Sequence, residues 1–493
     1  MQSALGRTHR YSRMTLRNEV LHSVKWLAGA RFAGQLVAWA ITIVVIRILK
    51  PSDYGLMAIA EVLIGFAALF QELGLYSAMV QKRDLTQRQI EQAFGFLIIT
   101  NLGIYLLIFA IAPFLADFFG DARLTNIVRV LGLQFPLASV GVVQDAMLSR
   151  TMRFKRKSIA TVIIVLGNGF TTLGFALAGA GVWALVAGSL AGSVIRPVAL
   201  SLAARHWCRP RFSREGMADM LHYGGFITAS GLLWYVYSRS DVFIIGKILG
   251  KEVLGFYSIA LQLASLPIQK VGEILNQVGL AAYSSIQHDM DAIRSHYLKV
   301  IRVLSFVAFP IFWGMSSVSP ELVNVVLGAK WQPAIIPLQL LSLIMPLRMV
   351  SHSGSPLSAI GKPHIGTLVH LTALVIMPPA FLIGAYFGGL TGVSLAWVIA
   401  YPLLVLLRLG ISMHPIGLRR RDYFIALSGP AMGGAFMYLI VMLLRTTVVR
   451  PWLGQRLGLV LLVGVGALAY VAFMWLLRRK DCNEILNLVK RGG

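Results

Sequence analysis

The sequence predicts an all-α protein that crosses a membrane many times, and three observations carry that prediction. Hydrophobic residues make up 57% of the 493 residues and charged ones only 13%, with a mean hydropathy of +0.73. Soluble domains carry about 25% charged residues, so too few are present here for a water-facing surface of ordinary size. The apolar residues also come in long runs, such as Trp26–Leu49 and Leu457–Leu477, and about 20 such residues suffice to cross a hydrocarbon core about 30 Å thick. Finally, basic clusters recur between the runs at intervals that suit alternating loops.

Fourteen helices follow in chain order: 26–49, 55–78, 93–115, 125–147, 158–179, 182–205, 223–247, 254–281, 299–318, 334–357, 364–386, 389–411, 423–444 and 456–478. The first follows a basic segment, Met1–Lys25, that lacks an apolar stretch of its own. It is therefore expected to stay in the membrane as a span and not to be removed as a signal peptide. Every connection is a short loop, which leaves no room for a separate soluble domain.

The loops decide orientation. With the N-terminus inside, the cytoplasmic loops hold Lys82/Arg83/Arg88, Arg150/Arg153/Lys155/Arg156/Lys157, Arg205/Arg209/Arg211/Arg214, Arg294/Lys299/Arg302, Arg419/Arg420/Arg421 and the tail Arg478/Arg479/Lys480. This is the positive-inside pattern. It accounts for the net charge of +25 better than nucleic-acid binding does, and both termini are expected in the cytoplasm. The two cysteines, Cys208 and Cys482, imply no disulfide framework.

The chain repeats itself at an offset of 200 residues. Ile48/Ile248, Leu49/Leu249, Gly55/Gly255, Ile59/Ile259 and Ala60/Ala260 are identical, and Arg47/Lys247 is conservative. Each copy joins the end of an odd helix to the start of the next. Six helices separate the copies, so the two halves share one orientation, an arrangement used by transporters. The expected organisation is a cytoplasmic segment 1–25, a six-helix lobe 26–205, a cytoplasmic linker 206–222, a second six-helix lobe 223–411, two further helices within 412–478, and a tail 479–493.

Several segments resemble the polysaccharide-transport branch of the multidrug/oligosaccharidyl-lipid/polysaccharide exporter superfamily, in particular Wzx-type flippases of the colanic-acid and exopolysaccharide kind. The resemblance is carried by Arg47-Ile-Leu with Asp53-Tyr-Gly-Leu, by Phe70-Gln-Glu-Leu-Gly-Leu-Tyr-Ser-Ala-Met-Val-Gln-Lys82, by Ile248-Leu-Gly, and by Val326-Leu-Gly-Ala-Lys-Trp-Gln-Pro-Ala334 with Leu338-Gln-Leu-Leu. It extends from about residue 20 to the end, and Gly-x-Lys-Trp is its most specific piece. It implies two six-helix lobes forming a V around a central cavity. The implied cargo is undecaprenyl-pyrophosphate carrying an oligosaccharide, moved from the cytoplasmic to the periplasmic leaflet of a bacterial inner membrane by alternating access. Membrane lipid and other proteins of polysaccharide assembly are the implied partners.

Basic residues inside spans are the candidate site. Each costs about 2.5–3.5 kcal/mol at the bilayer centre on insertion scales, so it should face water or a partner. Arg47 and Arg129 lie near span ends and can snorkel. Arg31, Arg196, Arg239, Lys270 and Arg348 are the candidates for a cationic cavity that holds a pyrophosphate, since Arg grips phosphate oxygens in pairs and Lys acts as a point charge. Structural ion pairing is the competing role. Gln262, Gln269, Glu273, Asn276 and Gln277 form a polar stripe on helix 8 around Pro267, and Arg31, Gln35 and Thr42 form a similar face on helix 1. Trp234, Tyr235, Tyr237 and Ser238 could offer sugars an aromatic face or could simply pack. Glu61, Glu72, Asp241 and Glu273 are candidates for coupling to a proton or a sodium ion, with Glu61 and Glu72 expected on one face of helix 2.

Two other functions compete. A drug or cation exporter of the same superfamily would want an acidic cavity. A membrane-embedded enzyme of polysaccharide assembly would want a sizeable outer loop, whereas Ser319–Pro333 is short and lacks His. His352, His364 and His370 have no metal-ligand spacing, and no glycine-rich phosphate loop is present. The chain is read as a non-enzyme with no cofactor or metal.

Overall fold

The structure is a computed structural model. It describes residues 33–82, 84–205, 208–213, 218–285, 289–351, 357, 360, 364–413, 416–449 and 454–479; the side chains of 81, 154, 218–230, 269–285 and 364 lie outside that description. Every regular element among these residues is a helix. In chain order they are α1 Ala33–Ile48, α2 Pro51–Ala68, α3 Leu75–Gln81, α4 Gln87–Phe119, α5 Arg123–Gly132, α6 Gln134–Arg150, α7 Phe154–Leu177 and α8 Val182–Ala204. There follow α9 Ala218–Ile248, α10 Gly250–Ser285, α11 Met290–Ser317, α12 Ser319–Leu322, α13 Ile335–Ser351, α14 His364–Met413, α15 Arg420–Leu444 and α16 Gln455–Leu477. Among the described residues, nine helices are long and apolar enough to cross a membrane, and up to ten if α1 and α2 count as one broken span. The outer faces are apolar: Phe114, Leu177, Val375 and Phe387 are all exposed, as a lipid-facing surface requires. This is a multi-span membrane protein; the number fourteen remains an expectation.

The chain packs as two units, one comprising Met1–Lys50 and Leu63–Gly231, the other Pro51–Val62 and Leu232–Gly493. In the first, Leu75 and Met79 of α3 pack against Phe94 and Leu97 of α4 and Val143 of α6. The start of α4 is set by a capping box: the Gln89 amide donates to Thr86 Oγ1 at 3.3 Å, and the Thr86 amide donates to Gln89 Oε1 at 3.2 Å. Both orphan amides at this helix start are thereby satisfied. The segment after α8 returns to this end of α4, where the Arg211 amide donates to the Glu91 carbonyl at 2.9 Å.

The expected helix 55–78 is not continuous. Beyond Ala68 the amides of Leu69, Phe70 and Gln71 bond back three residues, at 3.2, 3.0 and 3.2 Å, which tightens the last turn. Leu73 and Gly74 then take φ values of 43° and 68°. Glu72 therefore sits in a turn and not on a helical face shared with Glu61. The helix expected over 125–147 is present as one span, Arg123–Arg150, in which Leu133 between α5 and α6 keeps helical backbone angles of φ −59° and ψ −20°.

In the second unit, Met437 of α15 and Tyr470 and Met474 of α16 share a core with Val318, and the Tyr470 hydroxyl donates to the Phe306 carbonyl of α11 at 3.0 Å. The two helices outside the repeat are thus docked on α11. Within α14 the backbone breaks at Gly389, with φ 54° and ψ −136°, where one span was expected to end and the next to begin. Gly181, at the start of α8, has φ 58° and ψ −132°. Only glycine enters this region readily, so the expected sixth and twelfth spans begin on the same unusual backbone geometry.

The repeat has a packing counterpart too. A Cβ on Gly55 would fall on the Lys251 carbonyl, and one on Gly255 on the Pro51 carbonyl. Trp331, fully buried, meets Tyr54 edge-on at 5.6 Å and Phe256 at 6.0 Å. The Gly-x-Lys-Trp segment therefore packs against an aromatic neighbour of each glycine.

Candidate functional site

Of the five expected cavity cations, three have described side chains. Arg31 and the side chain of Lys270 lie outside the described residues, as do the side chains of Gln269, Glu273 and Asn276. The α10 backbone continues helically through Pro267. Gln262 is exposed and Gln35 half-buried.

Arg348, near the end of α13, is the most elaborately held. Its guanidinium lies 4.2 Å from the centroid of the Trp397 ring of α14, an arrangement worth about 0.5–2 kcal/mol. The Trp397 indole is fixed in turn: Nε1–H lies 2.8 Å from the Tyr257 hydroxyl and 3.3 Å from Asp241 Oδ2. Tyr257 donates its own hydroxyl proton to Asp241 Oδ2 at 2.5 Å, and the Val242 amide donates to Oδ1 at 2.7 Å. Asp241, Tyr257 and Trp397 are essentially inaccessible, whereas Arg348 is half-buried. A buried carboxylate is tolerable when donors saturate it, and here neutral donors from its own helix, α10 and α14 do so. Asp241 consequently fixes the platform on which the guanidinium rests.

Arg239, two residues before Asp241, is exposed and its guanidinium lies 6.0 Å from the Tyr235 ring. Residues two apart on a helix face different ways, and the structure separates this pair accordingly: one to the surface, one to the core. Tyr235 and Tyr237 are buried, the former with its hydroxyl on the carbonyls of Glu61 and Val62 at 3.2 and 2.9 Å, the latter stacked on His370 at 5.9 Å. Those two rings pack within the protein, leaving Trp234 as the exposed aromatic of that stretch. The Glu61 side chain is exposed.

In the other unit, Arg196 of α8 reaches Asp145 of α6 with Nη2 to Oδ2 at 3.3 Å, and Lys157 of α7 reaches the same carboxylate at 2.5 Å to Oδ1. Sequence reasoning singled out Arg196 alone. Asp145 was legible as an acid within an apolar stretch, and Lys157 was read only as part of a loop cluster. Arg129 lies 4.1 Å from the Phe109 ring and donates to the Phe109 carbonyl at 3.3 Å. A second unforeseen pair is Glu321 with Arg445, 2.8 Å apart and both buried. Among the described residues no cluster of three or more His, Cys, Asp or Glu could hold a metal ion.

A family model described as "Polysaccharide biosynthesis protein" matches residues 44–336. The chain is 25% identical to the lipopolysaccharide biosynthesis protein WzxC of Escherichia coli K12, over 84% of this chain and 85% of that protein. It is likewise 25% identical to the teichuronic acid biosynthesis protein TuaB of Bacillus subtilis 168, over 82% and 85%. Among solved structures it resembles the lipid II flippase MurJ in an inward closed conformation, with a TM-score of 0.74, 13% identity, and coverage of 91% of this chain and 99% of that one. At 13% identity the last likeness speaks for the fold alone.

Proposed function

Given that this chain belongs to the family of polysaccharide biosynthesis proteins, we propose that it is a flippase. In this reading it moves undecaprenyl-pyrophosphate-linked oligosaccharide from the cytoplasmic to the periplasmic leaflet of a bacterial inner membrane, by alternating access and with both termini cytoplasmic. The names borne by its relatives, of polysaccharide biosynthesis and transport proteins, support the coarse reading.

The observation that carries the finer one is Arg348, a cation in an apolar helix, placed over the Trp397 ring that the Asp241–Tyr257 network fixes. Holding a guanidinium against a fixed ring reduces the entropy lost when it grips an anion, and the fork of a guanidinium matches paired phosphate oxygens. A diphosphate carries its charge where apolar surroundings would otherwise make crossing prohibitive. Arg239, exposed on α9, supplies a second positive charge in the same unit. A cation exporter would gain nothing from such residues.

The test is export in cells lacking the native gene. Arg348→Ala, Arg239→Ala and Lys270→Ala should each abolish polymer export, with lipid-linked intermediates accumulating in the cytoplasmic leaflet while the protein still inserts. Arg348→Lys should restore export only partly, because an ammonium cannot reproduce the planar fork. Normal export by all three alanine variants would refute the reading.

A further inference from the structure

Three side chains from consecutive helices converge near the expected cytoplasmic ends of α6, α7 and α8. Lys157 Nζ lies 2.5 Å from Asp145 Oδ1, and Arg196 Nη2 lies 3.3 Å from Asp145 Oδ2. Lys157 also donates to Ser149 Oγ at 2.9 Å and to the Tyr76 hydroxyl at 3.2 Å, and those two hydroxyls lie 2.9 Å apart. Gly141, one turn before Asp145, faces the Pro197 backbone next to Arg196, where a Cβ would sit at an ordinary contact distance of 3.5 Å from Pro197 Cα.

The exposures are unequal. The Asp145 side chain is 12% exposed, that of Lys157 27% and that of Arg196 49%. A structural triad would bury its cations with the carboxylate; here the carboxylate is covered and both cations keep an accessible side. One carboxylate serves two cations, so each is only partly neutralised. Glu72 lies within electrostatic reach of all three, yet among the described residues its carboxylate pairs with neither cation.

We propose that Lys157 and Arg196 form an anion site for a phosphorylated lipid headgroup, and that Asp145 is its built-in counter-ion, exchanged for the ligand's phosphate on binding and reclaiming the cations on release. This rests on the reading that the cargo carries a diphosphate. The occupied site holds the phosphate through Arg196 and Lys157, with the Ser149 and Tyr76 hydroxyls as further donors. The empty site falls back on Asp145 and does not strand two charges. Such an exchange lets an anion bind without being trapped, because release restores an ion pair already in place.

The experiment is a titration of the purified full-length protein, in nanodiscs of phosphatidylcholine, with farnesyl diphosphate. Arg196→Met and Lys157→Met should each weaken binding at least tenfold. Asp145→Asn, which removes the competing carboxylate, should tighten it about tenfold, equivalent to about 1.4 kcal/mol. The same variant should lower both KM and kcat for transport, since release then lacks its counter-ion; Asp145→Glu should restore kcat. Glu72→Gln should change binding less than Asp145→Asn. Repeating the titration with phosphatidylglycerol in the nanodisc separates the two sources of phosphate: competition assigns the site to bilayer lipid, its absence to the cargo, and either supports the site. Unchanged binding in Arg196→Met and Lys157→Met, or equal effects of Glu72→Gln and Asp145→Asn, would overturn it. Asp145→Glu, which keeps the charge, separates a failed site from a misfolded protein. Loss of transport in Arg348→Ala beside unaltered binding in Arg196→Met and Lys157→Met would sink this inference and leave the proposed function standing. Diphosphate binding by these residues in a protein that transports no lipid-linked sugar would do the reverse.

Discussion

Gly55 and Gly255 each face the backbone at the start of the other's helix, the first against the Lys251 carbonyl and the second against that of Pro51. Residue 55 meets 251 as residue 255 meets 51, which is the reciprocity of a two-fold contact. The internal repeat therefore has a physical reason at its glycines: neither α2 nor α10 can approach the other so closely with a side chain there.

Gly55→Ala or Gly255→Ala should destabilise the protein by about 1–3 kcal/mol through overpacking, against the gain of about 0.5–1 kcal/mol that alanine ordinarily brings to a helix. Gly103→Ala, where nothing lies within 4 Å of the added carbon, should be neutral or mildly stabilising. Thermal unfolding in detergent checks both, and equal melting temperatures for the Gly55→Ala and Gly103→Ala variants would contradict the crossing.

Glu321 and Arg445 form a buried pair at 2.8 Å joining α12 to the end of α15. Removing one partner of such a pair leaves an uncompensated charge and costs about 3–5 kcal/mol. Glu321→Gln and Arg445→Met should each lower the melting temperature sharply. The double replacement Glu321→Leu with Arg445→Met should recover much of the loss. Additive losses in the double variant would show that the two side chains act independently.

Tyr257→Phe removes the hydroxyl shared by Asp241 and Trp397. Leaving buried donors and acceptors unsatisfied costs about 1–3 kcal/mol, so stability should fall by that order. The more specific expectation is spectroscopic: with its hydrogen bond altered and its ring freed, Trp397 should show a shifted emission. Trp397→Phe should remove that difference. An unchanged emission in Tyr257→Phe would speak against a fixed indole under Arg348.

Cys208 lies between α8 and α9, half-buried in the α3–α4–α6 core cluster. Burial first, and the Glu91 carboxylate second, push its thiol above the ordinary cysteine range. A raised pKa means less thiolate at any pH below it, hence slow alkylation near neutrality. In a Cys482→Ser background, maleimide labelling of opened membranes should accelerate as pH rises and be faster in Glu91→Gln at a given pH. An impermeant maleimide added to intact cells should leave Cys208 unlabelled if the linker is cytoplasmic. Labelling from outside would reverse the expected orientation.

Much of this architecture was written in the linear order of residues. Hydrophobic run length fixed the membrane class, because bilayer thickness admits few alternatives. The 200-residue offset announced the repeat, and the break at Gly389 falls between the spans expected on either side. Arg239 and Asp241 were separable from helical periodicity alone, which puts them on different faces. Periodicity also misled: it carried helix 2 through Glu72, since a single glycine, Gly74, within a helical pattern does not by itself announce the left-handed turn it makes with Leu73.

What only the tertiary structure decided is partnership. Asp145 meets Lys157 and Arg196, Glu321 meets Arg445 across 124 residues, and Trp397 meets Asp241 across 156. A membrane sequence displays each buried charge plainly, because hydrocarbon makes it costly wherever it stands. Which opposite charge or ring relieves that cost depends on how helices pack side by side, and this lateral order rests on close approaches such as those of Gly55 to Lys251 and Gly255 to Pro51, not on any local pattern in the chain.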